Sequence, residues 1–590
     1  MRGDLKAFLK DLERATEVVR VKTYVNPLLE MTELIDRMSK SPEGGKALFF
    51  ESTGTDFPVL ANMMGSTRRM CMALGVNSLE EIPQRLDKLF KQAMSPKTGL
   101  WDKLQMLPLM AEAARWFPKK SQKEGICQAI IMPAPDLSKL PILQSWPYDG
   151  GRFITLPMVH TIDPITGAPN VGMYRMQVFS DTSTGMHWHR HKTGARHYQA
   201  WKEAYEKGEG PDKMPVTVTL GGDPIYTYAA TAPLPDGVDE YMLAGFLRNK
   251  PVQLVACKTN ALYVPEDVDF VLEGYIDLKE SLRIEGPFGD HTGFYSLPDL
   301  YPTFHLTAIT HKPKAIYPTT LVGIPPQEDV YIAHATEQLF REPIRWLFLP
   351  EMRDLYMPDP GVAHNLVFVS IDKQHPGQAF KAANALWGAG QMSFNKVMVV
   401  FDADVNIRSE QAVKTAIEEH YVPARDTYWG KGQLDVLDHA ATECGFGGKL
   451  CLDATRKLSQ EQGIEEALVI GDKIEVVFDS EVDTTDKYSA LWIAVSNIDP
   501  ARDCTIKEGK LYCDARAKPR GKQVRDWPNV VTSLPKTIQL VDAKWKEYQV
   551  GAFIASPSTN YLLLHQAASA YRYGDPEQTV LPDINQFPVL

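Results

Sequence analysis

The spacing of apolar residues predicts an alternation of helices and strands in the first hundred residues. Residues 5–12 place apolar side chains at the i, i+3, i+4 and i+7 positions of a one-faced helix, and residues 28–38 suggest a second helix. The apolar runs at 47–50 and 58–60 have the length of short buried strands. A stretch at 95–126 that is rich in Lys, Pro, Met and Leu is interpreted as a connection or an insertion.

The pattern changes between about residue 127 and residue 310, where short β-rich runs are separated by Gly and Pro turns. The runs lie at 127–132, 171–179, 216–220, 252–257 and 271–276. This spacing favours an all-β or barrel-like middle domain.

The alternation of helices and strands returns after about residue 315. Strand-like runs at 365–371 and 397–401 are separated by helical patterns at 378–386 and 410–419. Strands and helices at this spacing predict βαβ units and a parallel sheet.

An internal repeat lies in this last region. Residues 395–427 match residues 472–504 at an offset of 77, with 10 identities in 33 positions. The match includes the run Pro-Ala-Arg-Asp at 423–426 and again at 500–503. We interpret it as the partial duplication of one strand–helix unit. Because residues 491–493 (Leu-Trp-Ile) replace Lys-Thr-Ala of the first copy, the second helix should bury a larger apolar face. We expect this copy to pack in the C-terminal region, far from the functional site.

Composition narrows the class of protein. The chain has 590 residues, of which 44% are hydrophobic and 23% charged, with a net charge of 63 − 74 = −11. This composition is typical of a soluble multidomain protein, and the acidic balance argues against nucleic acid as a partner. No apolar run reaches the roughly 18–20 residues of a bilayer span. Seven scattered cysteines and a charged N-terminal helix instead of a signal peptide predict reduced thiols and a cytoplasmic location.

Histidines are concentrated in the middle region. Four of the 14 fall between residues 187 and 197, and His187, His189 and His191 alternate. On a strand, alternate residues share one face, and three imidazoles on one face could bind Zn²⁺. A polar or solvent-facing strand without metal is the alternative.

Carboxylates also bracket turns in this region. Glu285 and Asp290 flank a Gly/Pro turn that can bend them toward one site, where paired carboxylates could separate a proton donor from a charged stabiliser. A solvated turn is the alternative. Glu240 lies where residues 236–247 look like the start of a helix, so a purely structural role in the helix dipole is reasonable for it.

Five motifs occur in one order, at residues 170–175, 186–194, 239–248, 271–275 and 285–293. Their order and spacing resemble the UbiD family of non-oxidative decarboxylases, particularly its longer members associated with menaquinone biosynthesis. The resemblance continues through further motifs to about residue 460 and returns near 527–551.

The resemblance implies prenylated FMN as cofactor, held through Mn²⁺ (or Mg²⁺) beside K⁺. Carried over by motif, the metal ligands would be Asn170, His191 and Glu240, a mixed oxygen and imidazole set that leaves positions open for phosphate and water. His187, His189 and the pair 192–193 depart from the shorter relatives, so backbone contacts are the alternative for them. The implied cofactor-binding residues are Asn170, Met173, Tyr174, Arg175, His187, Trp188, His189, Lys192, Thr193, Glu240 and Lys396.

The implied reaction is the reversible loss of CO₂ from an aromatic acid, such as a naphthoic or hydroxybenzoic quinone precursor, or from an α,β-unsaturated acid. The flavin would be the electron sink, and the protein would supply positioning and proton transfer. Arg175 would hold the substrate carboxylate and Glu285, Glu285 would tune the flavin, and Asp290 would donate the proton. Burial and closeness to Glu285 are expected to raise the pKa of Asp290 above 3.9, while Arg175 keeps Glu285 ionised.

The predicted fold is α/β plus β, with an N-terminal α/β region, a split β-barrel flavin domain and a C-terminal α/β domain that carries the duplication. The resemblance implies a homodimer or higher oligomer through the C-terminal domain and a flavin prenyltransferase as cofactor supplier. The predicted limits are 1–126, 127–315, 316–465, 466–527 and 528–590.

Two other functions compete with this prediction. One is an FMN-dependent oxidoreductase on a split barrel, although no G-x-G-x-x-G lies between a strand and a helix. The other is an inactive metal- or flavin-binding assembly protein, against which the intact Arg175, Glu285 and Asp290 argue.

Overall fold

A central antiparallel sheet organises the molecule, which we describe from a computed structural model. The model describes residues 3–94, 113–190, 192–235, 237–461, 473–518 and 527–567. The predicted metal ligand His191, residue 236 and much of the predicted insertion at 95–126 therefore lie outside the described residues.

The central sheet has nine strands, all paired antiparallel, and curls into a half-barrel. In spatial order, eight strands are Phe153–Ile154, Met176–Ser180, Ser183–Gly185, Thr303–His311, Phe270–Asp277, Lys213–Leu220, Met158–Ile162 and Pro169–Met173. The ninth, Ile130–Ile131, pairs with Thr303–His311. Alternate side chains of Phe270–Asp277 enter two different hydrophobic cores, so both faces of the sheet are covered. This confirms the predicted barrel-like middle region, although the run predicted at 127–132 begins in a 3₁₀ turn and supplies only the two-residue strand Ile130–Ile131.

A four-stranded sheet precedes the half-barrel in sequence. Its order is Val18–Val21, Ala47–Phe50, Val59–Ala61 and Tyr317–Thr319. The last strand enters from beyond the half-barrel and pairs parallel with Val59–Ala61. The predicted helix at residues 5–12 is confirmed as Leu5–Arg14, with all four predicted apolar side chains buried.

The C-terminal region contains a five-stranded mixed sheet. Its order is Met352–Tyr356, Leu366–Ile371, Val397–Asp402, Phe446–Asp453 and Thr427–Gln433. The middle three strands are parallel, as the predicted βαβ pattern requires. Two small sheets complete the strands outside the duplication: Tyr263–Pro265, Gln253–Ala256 and Lys119–Lys120, and the pair Arg283–Glu285 and Asp299–Tyr301.

Helices cover these sheets. The described α-helices are Leu5–Arg14, Glu30–Ser39, Thr67–Leu74, Glu81–Met94, Thr193–Glu206, Pro224–Thr231, Glu240–Arg248, Glu328–Leu347, Gln378–Trp387, Glu410–His420, Pro423–Asp426, Lys487–Asn497, Pro500–Asp503, Pro535–Tyr548 and Leu562–Ala567. None of these helices is long and apolar enough to cross a membrane.

The internal repeat is a repeat of structure as well as of sequence. In the first copy, Phe446–Asp453 pairs parallel with Val397–Asp402 and antiparallel with Thr427–Gln433. In the second copy, Lys510–Asp514 pairs parallel with Ile474–Val477 and antiparallel with Cys504–Lys507. The duplicated unit is therefore larger than the sequence match, because each copy ends in a β-hairpin.

The second copy forms a separate three-stranded sheet, and its helix Lys487–Asn497 buries Trp492 and Ile493 as predicted. The expected burial of Leu491 is wrong, since this residue is 38% exposed. The expectation that this copy stands apart from the functional site is also wrong, because Trp492 packs on the segment that follows Asp290.

Candidate active site

Arg175 lies where the chain leaves the edge strand Pro169–Met173 of the half-barrel and crosses toward the opposite edge of the sheet. The run predicted as one strand at 171–179 is two strands, Pro169–Met173 and Met176–Ser180, which pair with different neighbours. Tyr174 and Arg175 form the break between them. The break leaves the Arg175 side chain buried beside the turn that carries both predicted catalytic carboxylates.

The guanidinium of Arg175 joins the two predicted catalytic carboxylates. Nε and Nη2 donate to the two oxygens of Glu285 at 2.9 and 3.1 Å, and Nη1 pairs with Asp290. Nη2 also donates to the Ser296 hydroxyl at 3.0 Å. Paired, planar contacts of this kind fix both position and charge, so the prediction that these three side chains converge is confirmed.

Glu285 ends the strand Arg283–Glu285 and is fully buried. Burial by itself would raise the pKa of Glu285, but the charge of Arg175 and the hydrogen bonds with Arg175 and His187 outweigh it and lower the pKa to about 2. The chain turns directly afterwards at Gly286, whose φ of +94° favours glycine, and the Gly286 N–H donates to Gln177 at 2.7 Å. Glu285 is therefore ionised, as predicted.

The environment of Asp290 corrects one expectation. The sequence predicted a raised pKa, but Arg175 and His291 both contact this carboxylate. Burial opposes ionisation, yet the hydrogen bond from His291 and the charge of Arg175 hold the pKa of Asp290 well below its usual range. The resting carboxylate is therefore charged, and a proton that it delivers has to arrive from a neighbour.

His291 supplies such a neighbour. Its Nδ1 lies 3.0 Å from Asp290 Oδ1, and its Nε2 lies 3.2 Å from Nε2 of His364, which precedes the strand Leu366–Ile371. Burial opposes the charge on His291, but Asp290 raises its pKa to about 9. Burial lowers the pKa of His364 to about 4. One imidazole is thus charged and the other neutral at pH 7, a pair that the sequence analysis did not bring together.

The predicted strand through the histidine motif is wrong. Residues 186–189 form no strand, because the strand Ser183–Gly185 ends before them and the Trp188 N–H turns back to the carbonyl of Met186 at 2.9 Å before the helix Thr193–Glu206 begins. His187 Nδ1 lies 2.8 Å from Glu285 Oε2, and His189 Nε2 lies 2.6 Å from His187 Nε2. Two histidines of the motif therefore extend the Arg175–Glu285 network, and the third lies outside the described residues.

The predicted metal ligands Asn170 and Glu240 are linked through the backbone N–H of Val171, the residue after Asn170. Glu240 begins the helix Glu240–Arg248, capped by Asp239, and its Oε2 accepts from the N–H of Val171 at 2.9 Å. Asn170 is buried, and its amide donates to Thr161 at 3.4 Å. The helix start at Glu240 is confirmed.

The charge of Glu240 fits a cation. Burial raises the pKa of Glu240 to about 7, and no basic side chain of the described residues pairs with it. A half-buried carboxylate without a cationic partner is costly, and a divalent ion would relieve that cost. Within the described ranges, no three His, Cys, Asp or Glu side chains cluster as a metal site. The set Asn170, His191 and Glu240 therefore remains a prediction.

The remaining predicted cofactor residues lie on several different elements. Lys192 precedes the helix Thr193–Glu206, and burial lowers its pKa. Tyr174 accepts from the N–H of Gly194 at 3.4 Å, and Trp188 is buried against the same helix. Met173 ends its strand half-buried. Lys396 is fully buried, with Nζ 2.7 Å from Asp438 Oδ2.

Residues that the sequence analysis missed hold the carboxylate turn in place. Asp149 accepts from the N–H groups of Gly289 and Trp146, both at 2.8 Å. Trp492 donates its indole N–H to the carbonyl of Thr292 at 2.9 Å. No local motif marks these partners, because they approach the turn from distant parts of the chain.

Comparisons with known protein families match most of the chain. Three models of 3-octaprenyl-4-hydroxybenzoate carboxy-lyase domains match consecutive parts of the chain: the N-terminal domain at residues 9–89, the Rift-related domain at 119–325 and the C-terminal domain at 330–454. Together with the buried arginine–carboxylate site, they define a multidomain carboxy-lyase. The chain belongs to the UbiD family, so the predicted family is confirmed. Residues 472–504 lie outside these three matches.

The chain is also similar to individual proteins, both in sequence and in structure. An uncharacterized protein of Archaeoglobus fulgidus is 44% identical over 497 residues, which cover 84% of this chain and 99% of the relative. The UbiD-class enzyme HmfF of Pelotomaculum thermopropionicum, solved in complex with FMN, has a TM-score of 0.64 at 25% identity, covering 79% of this chain and 97% of HmfF. The vanillic acid decarboxylase of Sedimentibacter hydroxybenzoicus shares the fold, with a TM-score of 0.67 at 23% identity, covering 82% and 97%.

Proposed function

We propose that the protein catalyses the reversible non-oxidative decarboxylation of an aromatic or α,β-unsaturated carboxylic acid with prenylated FMN as cofactor. The observation that carries the proposal is the buried guanidinium of Arg175 shared between Glu285 and Asp290. These three ionisable groups converge beside the half-barrel, where the guanidinium supplies the positive charge that can bind an anionic substrate.

The cofactor would be held at the wall formed by Asn170, Glu240 and the start of the helix Thr193–Glu206. Glu240, Asn170 and His191 would bind the Mn²⁺ or Mg²⁺ ion that neutralises the flavin phosphate, with K⁺ nearby, and Lys396 would approach from the C-terminal sheet. The chemistry that prenylated FMN supplies when bound is an electron sink for the electron pair left behind by departing CO₂.

Arg175 keeps one donor for the substrate. An arginine has five N–H groups, and four of them are used by Glu285, Asp290 and Ser296. The fifth, on Nη1, would bind the substrate carboxylate beside Asp290. Because that carboxylate is negative, its arrival favours protonation of Asp290, which is the state that a proton donor needs.

The proposed substrate is an aryl acid. A hydroxybenzoic acid fits the names of similar proteins, which include a vanillic acid decarboxylase and 3,4-dihydroxybenzoic acid decarboxylases. A naphthoic quinone precursor is the other aryl acid that we propose to test. A homodimer or higher oligomer through the C-terminal domain and a flavin prenyltransferase as cofactor supplier complete the proposal.

The test is to produce the protein together with a flavin prenyltransferase and to screen aryl, naphthoic and enoic acids for CO₂ release. We expect release from at least one acid, with exchange of the new ring hydrogen in deuterated solvent as a second readout. NAD(P)H consumption without CO₂ release would favour an FMN oxidoreductase. Cofactor and metal occupancy without either reaction would favour an inactive assembly protein.

A further inference from the structure

The proton that Asp290 needs has no obvious source inside its own ion-pair network. Arg175 holds the carboxylate in its charged form and does not give up its own protons at physiological pH. Glu285 is also ionised and accepts from Arg175. The Ser296 hydroxyl accepts from Arg175 and from the N–H of Phe288, and it is only weakly acidic. The adjacent group that carries an ionisable proton is His291.

We propose that His291 is the immediate proton reservoir for Asp290 and that His364, from the C-terminal sheet, holds His291 in the orientation that the transfer requires. The proposal rests on the decarboxylase function proposed above. It stands on two contacts, Nδ1 of His291 at 3.0 Å from Asp290 Oδ1 and Nε2 of His291 at 3.2 Å from His364 Nε2.

The geometry assigns a different role to each ring nitrogen. Nδ1 of His291 faces Asp290, and the backbone N–H of His291 donates to the same carboxylate oxygen at 2.8 Å. Because the charged His291 carries a proton on both ring nitrogens, its Nε2 donates to the buried, neutral His364, which accepts through its own Nε2. His364 therefore keeps a proton on Nε2 of His291. The proton that leaves His291 is then the one on its Nδ1. This makes His364 a positioning residue, in the way that a third group orients the base of a catalytic triad.

The transfer is balanced. The Nδ1–H bond of His291 breaks, its electron pair stays on the ring, and an O–H bond forms at Asp290 Oδ1. The O–H bond of Asp290 then breaks, its electron pair returns to the carboxylate, and the proton joins the substrate carbon through the electron pair that departing CO₂ left behind, so that a C–H bond forms. The neutral His291 regains a proton from solvent, since its side chain is 25% exposed. No oxidant or reductant is required.

The charges around the relay favour transfer only when substrate is bound. Before binding, Arg175 and His291 balance Glu285 and Asp290. A substrate carboxylate adds one negative charge beside Asp290 and raises its proton affinity. Other groups face His291 from neighbouring elements: Asp329 at the start of the helix Glu328–Leu347, and Asp435 after the strand Thr427–Gln433. Both favour the charged imidazole, so they keep the reservoir loaded between turnovers.

The first test measures titration without the cofactor. Histidine-labelled, flavin-free protein is titrated by NMR, and His291→Gln and His364→Gln identify the two signals. We expect His291 to titrate near 9, to fall by at least about one pH unit in Asp290→Asn, and His364 to stay neutral above pH 6. Asp290→Ser serves as the second variant if Asp290→Asn does not fold. Titration of His291 below 7 in the wild type would overturn the proposal.

The second test uses the cofactor-loaded enzyme. His291→Gln should lower kcat by about 10²-fold or more, leave KM nearly unchanged, and regain turnover with added imidazole. Wild-type turnover should fall as the pH rises through about 9, and His291→Gln should lose that limb of the profile. His364→Gln should lower kcat less and shift the limb. The control is His305→Gln, which removes an imidazole paired with Glu280 outside the site.

The two proposals fail in different ways. If the loaded wild-type enzyme releases no CO₂ from any acid, the decarboxylase function fails, and the role of the relay in turnover fails with it. If the enzyme turns over but His291→Gln keeps the wild-type kcat and pH profile, only the relay is wrong.

Discussion

The indole N–H of Trp492 donates to the carbonyl oxygen of Thr292 at 2.9 Å, two residues after Asp290. Trp492 is fully buried, and its ring lies so close to Gly293 that a Cβ there would come within 2.4 Å of it. Gly293 also has a φ of +84°, which favours glycine. The second copy of the duplicated unit thus supports the segment that presents Asp290 and His291.

We predict that Trp492→Phe disturbs this support. The variant keeps an aromatic ring but leaves the Thr292 carbonyl without its donor, which costs about 1–3 kcal/mol. We expect a lower urea midpoint and a several-fold lower turnover with flavin still bound. Leu491→Ala, on the exposed side of the same helix, is the matched control. If stability falls but turnover per folded enzyme does not, the second copy is only a scaffold.

This support could not be predicted from the sequence, and the reason is physical. The repeat showed that residues 472–504 form a strand and a helix, and the apolar replacements showed that the helix buries more surface. Periodicity describes which face of an element is apolar, but not which distant segment covers that face. The partner of Trp492 lies 200 residues earlier in the chain.

In the candidate site, too, some features could be predicted from the sequence and others could not. The convergence of Arg175, Glu285 and Asp290 was predicted, because the motifs carry it residue by residue. The charge state of Asp290 was not predicted. It depends on the side chain of His291, which contacts Asp290 on one side and His364, from a distant part of the chain, on the other. The strand predicted through the histidines failed for a related reason: alternation of residue types does not show whether a strand has a neighbour to pair with.

A second prediction concerns the divalent ion. Glu240→Gln removes a negative charge where no basic side chain of the described residues balances it. We expect Mn²⁺ affinity to fall by about 10-fold or more, and flavin occupancy to fall with it, since the ion would bridge phosphate to protein. Metal content by mass spectrometry and flavin absorbance are the measurements. Glu280→Gln, a half-exposed carboxylate paired with His305, is the control. Full occupancy in Glu240→Gln would refute the ligand set.

A third prediction concerns the proton donor. Asp290→Asn keeps the size of the side chain but cannot deliver a proton. Turnover should fall by about 10²–10⁴-fold while matured flavin stays bound. Asp299→Asn is the control, because Asp299 is a buried carboxylate opposite Glu285 whose hydrogen bond comes from the backbone of Leu300. We expect it to keep most of the activity. Near wild-type turnover in Asp290→Asn would exclude Asp290 as the donor.

The last prediction uses the pH dependence of stability. The pKa of Glu285 is about 2 in the folded protein, against about 4.3 for an unfolded chain. A lowered carboxyl pKa stabilises the fold above pH 4.3, and this stabilisation is lost as the pH falls through 2. The difference between the two values corresponds to about 3 kcal/mol. We therefore expect Glu285→Gln to be less stable than the wild type by about that amount at pH 7.

The gap between wild type and Glu285→Gln should then narrow in acid, to about half its neutral value at pH 3, because both proteins approach an uncharged side chain at this position. Urea midpoints measured from pH 7 downwards, as far as the wild type stays folded, provide the test. Glu280→Gln should show no such narrowing, since its carboxylate is half-exposed and its ion pair is screened by solvent. A gap that stays constant with pH would mean that the contacts with Arg175 and His187 do not hold Glu285 in its charged form, and the charge balance proposed for the site would have to be abandoned.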